Sequence, residues 1–307
     1  MGGRSEDSGF LGWLARLRLG ALMVGLTLSL LGGVFYLVSR GPREPIYQGK
    51  VLSAWLRTYN PASSSGRGSP AWKETDDALR HIGTKSIPFL VRMLRARDSS
   101  LKLWLVAWAQ KQHFIKIHFV PAAARNIEAS RAFIVLGNTA KVAVPDLVKA
   151  YADTGSDDAR SAIEDAFSWI GPDARPALPF LLRATTNSNN RVRANALWAL
   201  GEIHAEPDFC IPALLRGLKD GDSWAQTSAA HALGMFGPDA SAAIPALAQV
   251  AQLSQFSATA MSRSSFVQAR FEALRALRRI DPSAASGTNG NGSASETSGP
   301  ASLLFPQ

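Results

Sequence analysis

The sequence predicts an all-α fold, an α-solenoid of about six helix pairs, and three observations carry that expectation. Between Asp158 and Pro245 one pattern recurs with a step of 33 residues: Ala166-Phe167 with Ile170-Gly171, Ala199-Leu200 with Ile203-His204, and Ala232-Leu233 with Phe236-Gly237. A proline follows each terminator after eight residues, at Pro179, Pro212 and Pro245. The residues between show apolar stripes at helical spacing, as in Ile211, Leu214, Leu215 and Leu218. A fixed period in the thirties marks helical pairs that bury their apolar faces on one another.

Taken in order, residues 1–18 form a short polar tail ending in Arg16 and Arg18. Leu19 to Val38 is 20 residues without a charge. A helix of that length spans about 30 Å, the thickness of a bilayer's hydrocarbon core. A buried core helix or a cleaved signal peptide would be the alternatives. The segment is longer than a signal peptide's apolar region, and Phe35-Tyr36-Leu37-Val38-Ser39-Arg40 makes a poor cleavage site. The expectation is therefore an uncleaved single anchor at 19–38. Arginines flank both ends, so the charge rule gives little orientation. A short leading tail tends to stay in the cytosol, which would place the repeats on the extracytoplasmic side. Ala21, Gly25, Ser29 and Gly33 recur every four residues, a spacing that suits a homodimer of membrane helices, although such helices are commonly rich in glycine.

Residues 39–50, with two prolines and no apolar periodicity, read as a stiff linker, and 51–281 as the solenoid. Val51, Leu52, Trp55 and Leu56 open it, and Ala78-Leu79 with Ile82-Gly83 closes an abbreviated first pair. Each first (A) helix is expected to start at or beside a proline, whose missing N–H has no partner in a first turn. Each second (B) helix carries a narrow stripe, such as Val192, Ala196, Ala199, Leu200 and Ile203, whose alanines let helix axes approach closely. Gly171 and Gly237 suit left-handed caps, and Pro172 and Pro238 prevent continuation. Ala132-Phe133 with Leu136-Gly137 and Ala276-Leu277 with Ile280-Asp281 complete the set of endings. Two steps are long. The one from Gly83 to Gly137 holds Leu101–Val120, rich in tryptophan and lysine; the one from Gly237 to Asp281 holds an insertion around Ala251–Ser262. Residues 282–307 are rich in Ser, Gly and Asn and are expected to be disordered.

With Val192-Arg193-Ala194-Asn195-Ala196-Leu197-Trp198-Ala199-Leu200-Gly201-Glu202-Ile203 and Ala229-Ala230-His231-Ala232-Leu233-Gly234-Met235-Phe236-Gly237, the chain resembles HEAT repeats, in particular the short bacterial, phycobilisome-lyase-like type. The resemblance covers about residues 75–281. It implies a right-handed superhelix of antiparallel pairs with B helices on the inner side, used mainly to hold partner proteins. Some members are bilin lyases or di-iron hydroxylases.

Signs of chemistry are few. The five histidines include none followed by glutamate, so the adjacent His-Glu pairs of the di-iron members are missing. His113 and His118 stand five apart, where a helical zinc pair usually stands four apart. His204 fills a terminator place and reads as a cap. The single Cys210 reads as a small buried filler, although a helix N-terminus can activate a thiol. No nucleophile elbow or phosphate loop is present. No catalysis, metal or cofactor is expected.

What remains is surface. The net charge of +9 is concentrated between Arg80 and Arg131, where ten Lys or Arg face Asp98 and Glu128, a net +8. The candidate partner surface comprises Trp198 and His231, which occupy the same place in successive copies, and Arg92, Arg95, Arg97, Lys102, Trp104 and Trp108 in the basic stretch. Such a stretch suits anionic lipid headgroups or an acidic protein. Charge alone would also suit nucleic acid, but a basic domain beside a membrane favours lipid or protein. The functional expectation is a membrane-anchored, non-catalytic scaffold that binds a protein partner. A lyase- or hydroxylase-type enzyme and an anionic lipid or polyanion-binding module are the alternatives.

Overall fold

The computed structural model describes Ser29 and residues 44–59, 68–111, 119–253 and 260–282. The chain divides into two units after Arg43, and the second contains all the elements below. The expectations for residues 1–18, for the anchor and for the Ala21, Gly25, Ser29, Gly33 stripe lie outside the described residues, Ser29 excepted, as does that for residues 283–307. Among the described residues no helix is long and apolar enough to cross a membrane.

The second unit opens with a feature the sequence reading missed. Across the end of the expected linker and the first residue of the expected solenoid, β1 (Ile46–Tyr47) pairs antiparallel with β2 (Lys50–Val51). Gln48 and Gly49 connect them with φ of 48° and 73°, the two positive values that a tight hairpin turn with the twist of its strands requires. Helix α1 (Leu52–Leu56) follows and buries Leu52, Trp55 and Leu56.

From there the layers alternate as expected. The B helices are α2 (Pro70–Ile82), α5 (Ala122–Leu136), α7 (Asp157–Ile170), α9 (Asn190–Ile203), α11 (Ser223–Phe236) and α13 (Ala260–Ile280). Their A partners are α1, α3 (Ile87–Leu94), α6 (Val144–Asp153), α8 (Leu178–Ala184), α10 (Pro207–Gly217) and α12 (Ile244–Leu253). One further helix, α4 (Ser100–Gln110), is inserted between α3 and α5, which pack on each other directly. Helices α5, α7, α9, α11 and α13 pack each on the next, so the B helices form a continuous layer.

The alanine seam is the interior of that layer. Val192, Ala196, Ala199, Leu200 and Ile203 are fully buried, as are Phe167, Leu233 and Leu277. Glycines tighten it further. A Cβ on Gly201 would stand 2.5 Å from Ala232 Cα, and one on Gly234 would stand 2.9 Å from Ala276 Cα. Four of the B helices begin on side-chain caps: Ser69, Ser156, Asn189 and Asp222 each accept N–H groups of the first turn.

The terminators need a correction. Gly171 and Gly237 have positive φ (74° and 54°), but with ψ of −139° and −136° they lie in a region open to glycine rather than in the left-handed helical one. Gly83 and Gly137 do the same, and each of the four leads into a 3-10 segment before the next A helix. His204 takes the true left-handed conformation, φ 48° and ψ 51°, which a residue with a Cβ tolerates better. The chain after it consequently takes another course. No 3-10 segment forms, Glu206 also turns left-handed, and α10 starts at Pro207, so that Pro212 falls inside the helix instead of opening it.

Candidate functional site

The B-helix layer carries a row of side chains in one register. Asp165, Trp198 and His231 each precede the seam alanine of their helix, and Arg131 and Arg275 occupy the same place in α5 and α13. At this position the residues are charged or aromatic, whereas the alanine beside each is buried. The sequence reading found Trp198 and His231; the same register would also have given Asp165, Arg131 and Arg275.

The row is internally linked. The His231 ring lies flat against Trp198, 3.6 Å between centroids and 5° between planes. Its Nε2 is 2.9 Å from Glu202 Oε1 on α9, and its Nδ1 faces Glu272 Oε2 on α13 at 3.5 Å. Arg275 stands on the far side of Glu272, 3.7 Å away. Burial alone would disfavour the imidazolium, but the two carboxylates outweigh it and raise the His231 pKa above its ordinary value. The residue is 8% exposed. What a partner would meet on this part of the surface is therefore Trp198, which is half-buried, with His231 as the plate behind it.

Further along, Asn195 donates its amide to Asp165 Oδ1 at 2.9 Å and to the Ser161 carbonyl at 3.1 Å. Burial pushes the Asp165 carboxyl up to about 7, against the pull of Arg191 and Arg131. Arg131 Nη1 donates to the Tyr59 carbonyl, tying the row to the first pair. One helical turn beyond the row, Trp169, Glu202, Met235 and Arg279 form a second line. Trp169 is 39% exposed, and Arg279 Nη1 lies 3.2 Å from Met235 Sδ. This line was missed in the sequence, although its members stand four residues after those of the first.

The basic stretch is a separate surface. Arg92, Arg95 and Arg97 are exposed. Arg92 lies over the Phe89 ring, Arg95 Nη2 donates to the Asp146 carbonyl at 3.1 Å, and Arg97 donates to that of Asp153. Lys102 is held by Asp98 at 2.6 Å and stands over Phe119. Burial works to raise the Asp98 pKa, but the Ala122 N–H, Lys102 and Arg125 together hold it below the usual value. Trp104 and Trp108 project from α4 into solvent.

Cys210 lies in the first turn of α10, buried, with its Sγ donating to the Ala205 carbonyl at 3.2 Å. Burial, with Glu206 second, pushes its thiol up to about 11, where it is inert near neutral pH. Among the described residues, no group of three or more His, Cys, Asp and Glu is placed to hold a metal ion.

The repeated geometry now has a counterpart among known proteins. Residues 178–260 match the family model for HEAT repeats. The match runs from the start of α8 to the first residue of α13, the part where the 33-residue step is most regular. No curated protein matches this chain. HEAT repeats generally mediate protein interactions, and a row whose members are linked to one another across successive helices agrees with that use.

Proposed function

We propose that the protein is a non-catalytic scaffold, held at a membrane by residues 19–38, that binds a protein partner along the Trp198 row of its B helices. The observation that carries this reading is the continuity of the row. Across α7, α9, α11 and α13 the residues Asp165, Trp198, His231 and Arg275 set aromatic and charged groups at one register, with Glu272 one turn earlier on α13. A pre-organised surface with aromatic and arginine anchors is what a protein partner uses best. The repeats would then lie on the extracytoplasmic side, and the short lyase-like repeat type would supply the scaffold without its chemistry. A second reading, binding of anionic lipid through Arg80–Arg131, is favoured by the exposed tryptophans of α4.

A photo-crosslinking amino acid in place of Trp198 tests the first reading. In native membranes it should yield one discrete protein adduct, absent when the same group replaces Arg183 on the A-helix layer. Equal labelling from both positions would overturn it. Extraction of membranes with alkaline carbonate tests the anchor: the intact chain should stay with the lipid, and a chain lacking 19–38 should be released.

A further inference from the structure

Helix α4 stands apart from the two layers. Its neighbours in sequence, α3 and α5, pack on each other and leave it outside, and it makes no extended packing with another described element. It is tethered at its start instead. Ser99 Oγ accepts the Lys102 N–H, and Asp98 takes both Lys102 Nζ and the Ala122 N–H, the latter at the beginning of α5.

The outward side of this tethered helix is apolar. Leu101, Trp104 and Trp108 follow i, i+3, i+7 and so form one stripe. They are 66%, 61% and 52% exposed, and Leu103 nearby is 46% exposed. Single exposed apolar side chains are ordinary, but a stripe of three with two tryptophans on an 11-residue helix is a patch that marks an interaction site. The surrounding charge narrows the choice of occupant. From residue 92 to 111 there are five basic residues and one acidic one, and that one, Asp98, is already matched by Lys102 and Arg125. An apolar stripe containing tryptophan, set in a stretch where basic residues outnumber acidic ones five to one, complements the interface of a bilayer that contains anionic lipid. There the indole rings sit at headgroup depth and the cations face phosphate.

We propose that α4 is an interfacial helix that lies on an anionic membrane surface, with Leu101, Trp104 and Trp108 entering the acyl boundary and Arg97 and Lys111 among the headgroups. The inference deepens the proposed reading in that it needs a bilayer within reach. It does not need residues 19–38 to span that bilayer. Docking at α4 would give the scaffold a second contact with the membrane and so fix which way its B-helix row faces.

The full chain, mixed with vesicles of phosphatidylcholine and phosphatidylglycerol carrying brominated acyl chains, provides the test. Bromine should quench part of the tryptophan emission, and most of that quenched part should vanish in Trp104→Phe/Trp108→Phe, which keeps the exposed apolar character and hence the fold. Trp198→Phe should leave it unchanged. Omitting phosphatidylglycerol should lower the α4 component several-fold. Equal absolute quenching in wild type and the double variant would overturn the proposal. So would a crosslinker at position 101 that captures a protein in native membranes in place of lipid. Carbonate extraction of the same vesicles separates the two claims: protein retained but unquenched at α4 keeps the anchor and removes this inference, and protein released yet quenched does the reverse.

Discussion

At the scale of single residues, the buried ionisable groups set how stability depends on pH. His231 is faced by Glu202 from α9 and by Glu272 from α13, with Arg275 behind the latter. Its folded-state pKa lies above the ordinary 6.5. The stabilisation it brings is therefore complete below about pH 6.5 and is lost as pH rises through the folded-state value. His231→Gln should flatten the fall in thermal midpoint as pH rises above about 6.5; an unchanged slope would show that the imidazole stays neutral throughout. Glu164 has the opposite kind of environment. It is fully buried on α7, with Oε1 2.6 Å from the Tyr151 hydroxyl and Oε2 without a partner. Desolvation raises its pKa well above 4.5, so folding takes up a proton there and stability declines as pH rises past that value. Glu164→Gln keeps an acceptor for Tyr151 and removes the proton uptake. Its melting temperature should exceed that of wild type at neutral pH, by a margin that widens with increasing pH.

At the scale of elements, the contacts between B helices depend on missing atoms. Gly201 lies against Ala232 so closely that an added methyl has no room. Gly201→Ala would gain helix propensity of about 1 kcal/mol, yet overpacking of a tight contact costs about 1–3 kcal/mol. A net loss of up to about 2 kcal/mol in urea unfolding is expected, with the slope unchanged. How much of this was legible follows from what each feature leaves in the sequence. The alanine seam and the terminators repeat at a fixed step, so the pairs and the buried stripe could be read directly, whereas the side-chain caps that open the B helices are single polar residues of differing type and carry no such repeat. The hairpin at Ile46–Val51 could not, because its strands have two residues each and its turn is Gln-Gly rather than the usual Asn-Gly. The start of α10 was misplaced for a related reason. Position 204 looks like its neighbours in register, but a histidine cannot adopt the backbone that glycine takes there, and the connection after it is rebuilt. The Trp169 line went unnoticed because a half-exposed position tolerates many residue types and so leaves no pattern.

At the scale of the whole molecule, stability and the partner surface share one cause. Each pair contacts mainly its neighbours, so the array behaves as a chain of coupled units. Links outside the seam reinforce this coupling. Arg193 holds Asp220 through two hydrogen bonds of 2.8 and 2.9 Å, and Asn190 reaches Asp222, each bond joining one pair to the next. The Trp198 row exists only while α9, α11 and α13 remain stacked, because His231 is clamped by groups from the helices on either side. Cutting the array at one interface should thus remove the row without melting the distant pairs. Leu200→Asp places an unpaired carboxylate in the fully buried seam of α9, a change that costs on the order of 3–5 kcal/mol. Hydrogen exchange followed by mass spectrometry should then show lost protection in α9 to α13, with α2, α3 and α5 still protected, and unfolding by circular dichroism should separate into two steps. Loss of protection spread evenly over every helix would instead mean that the pairs fold as one indivisible unit, and a partner surface built on their separate stacking would have to be reconsidered.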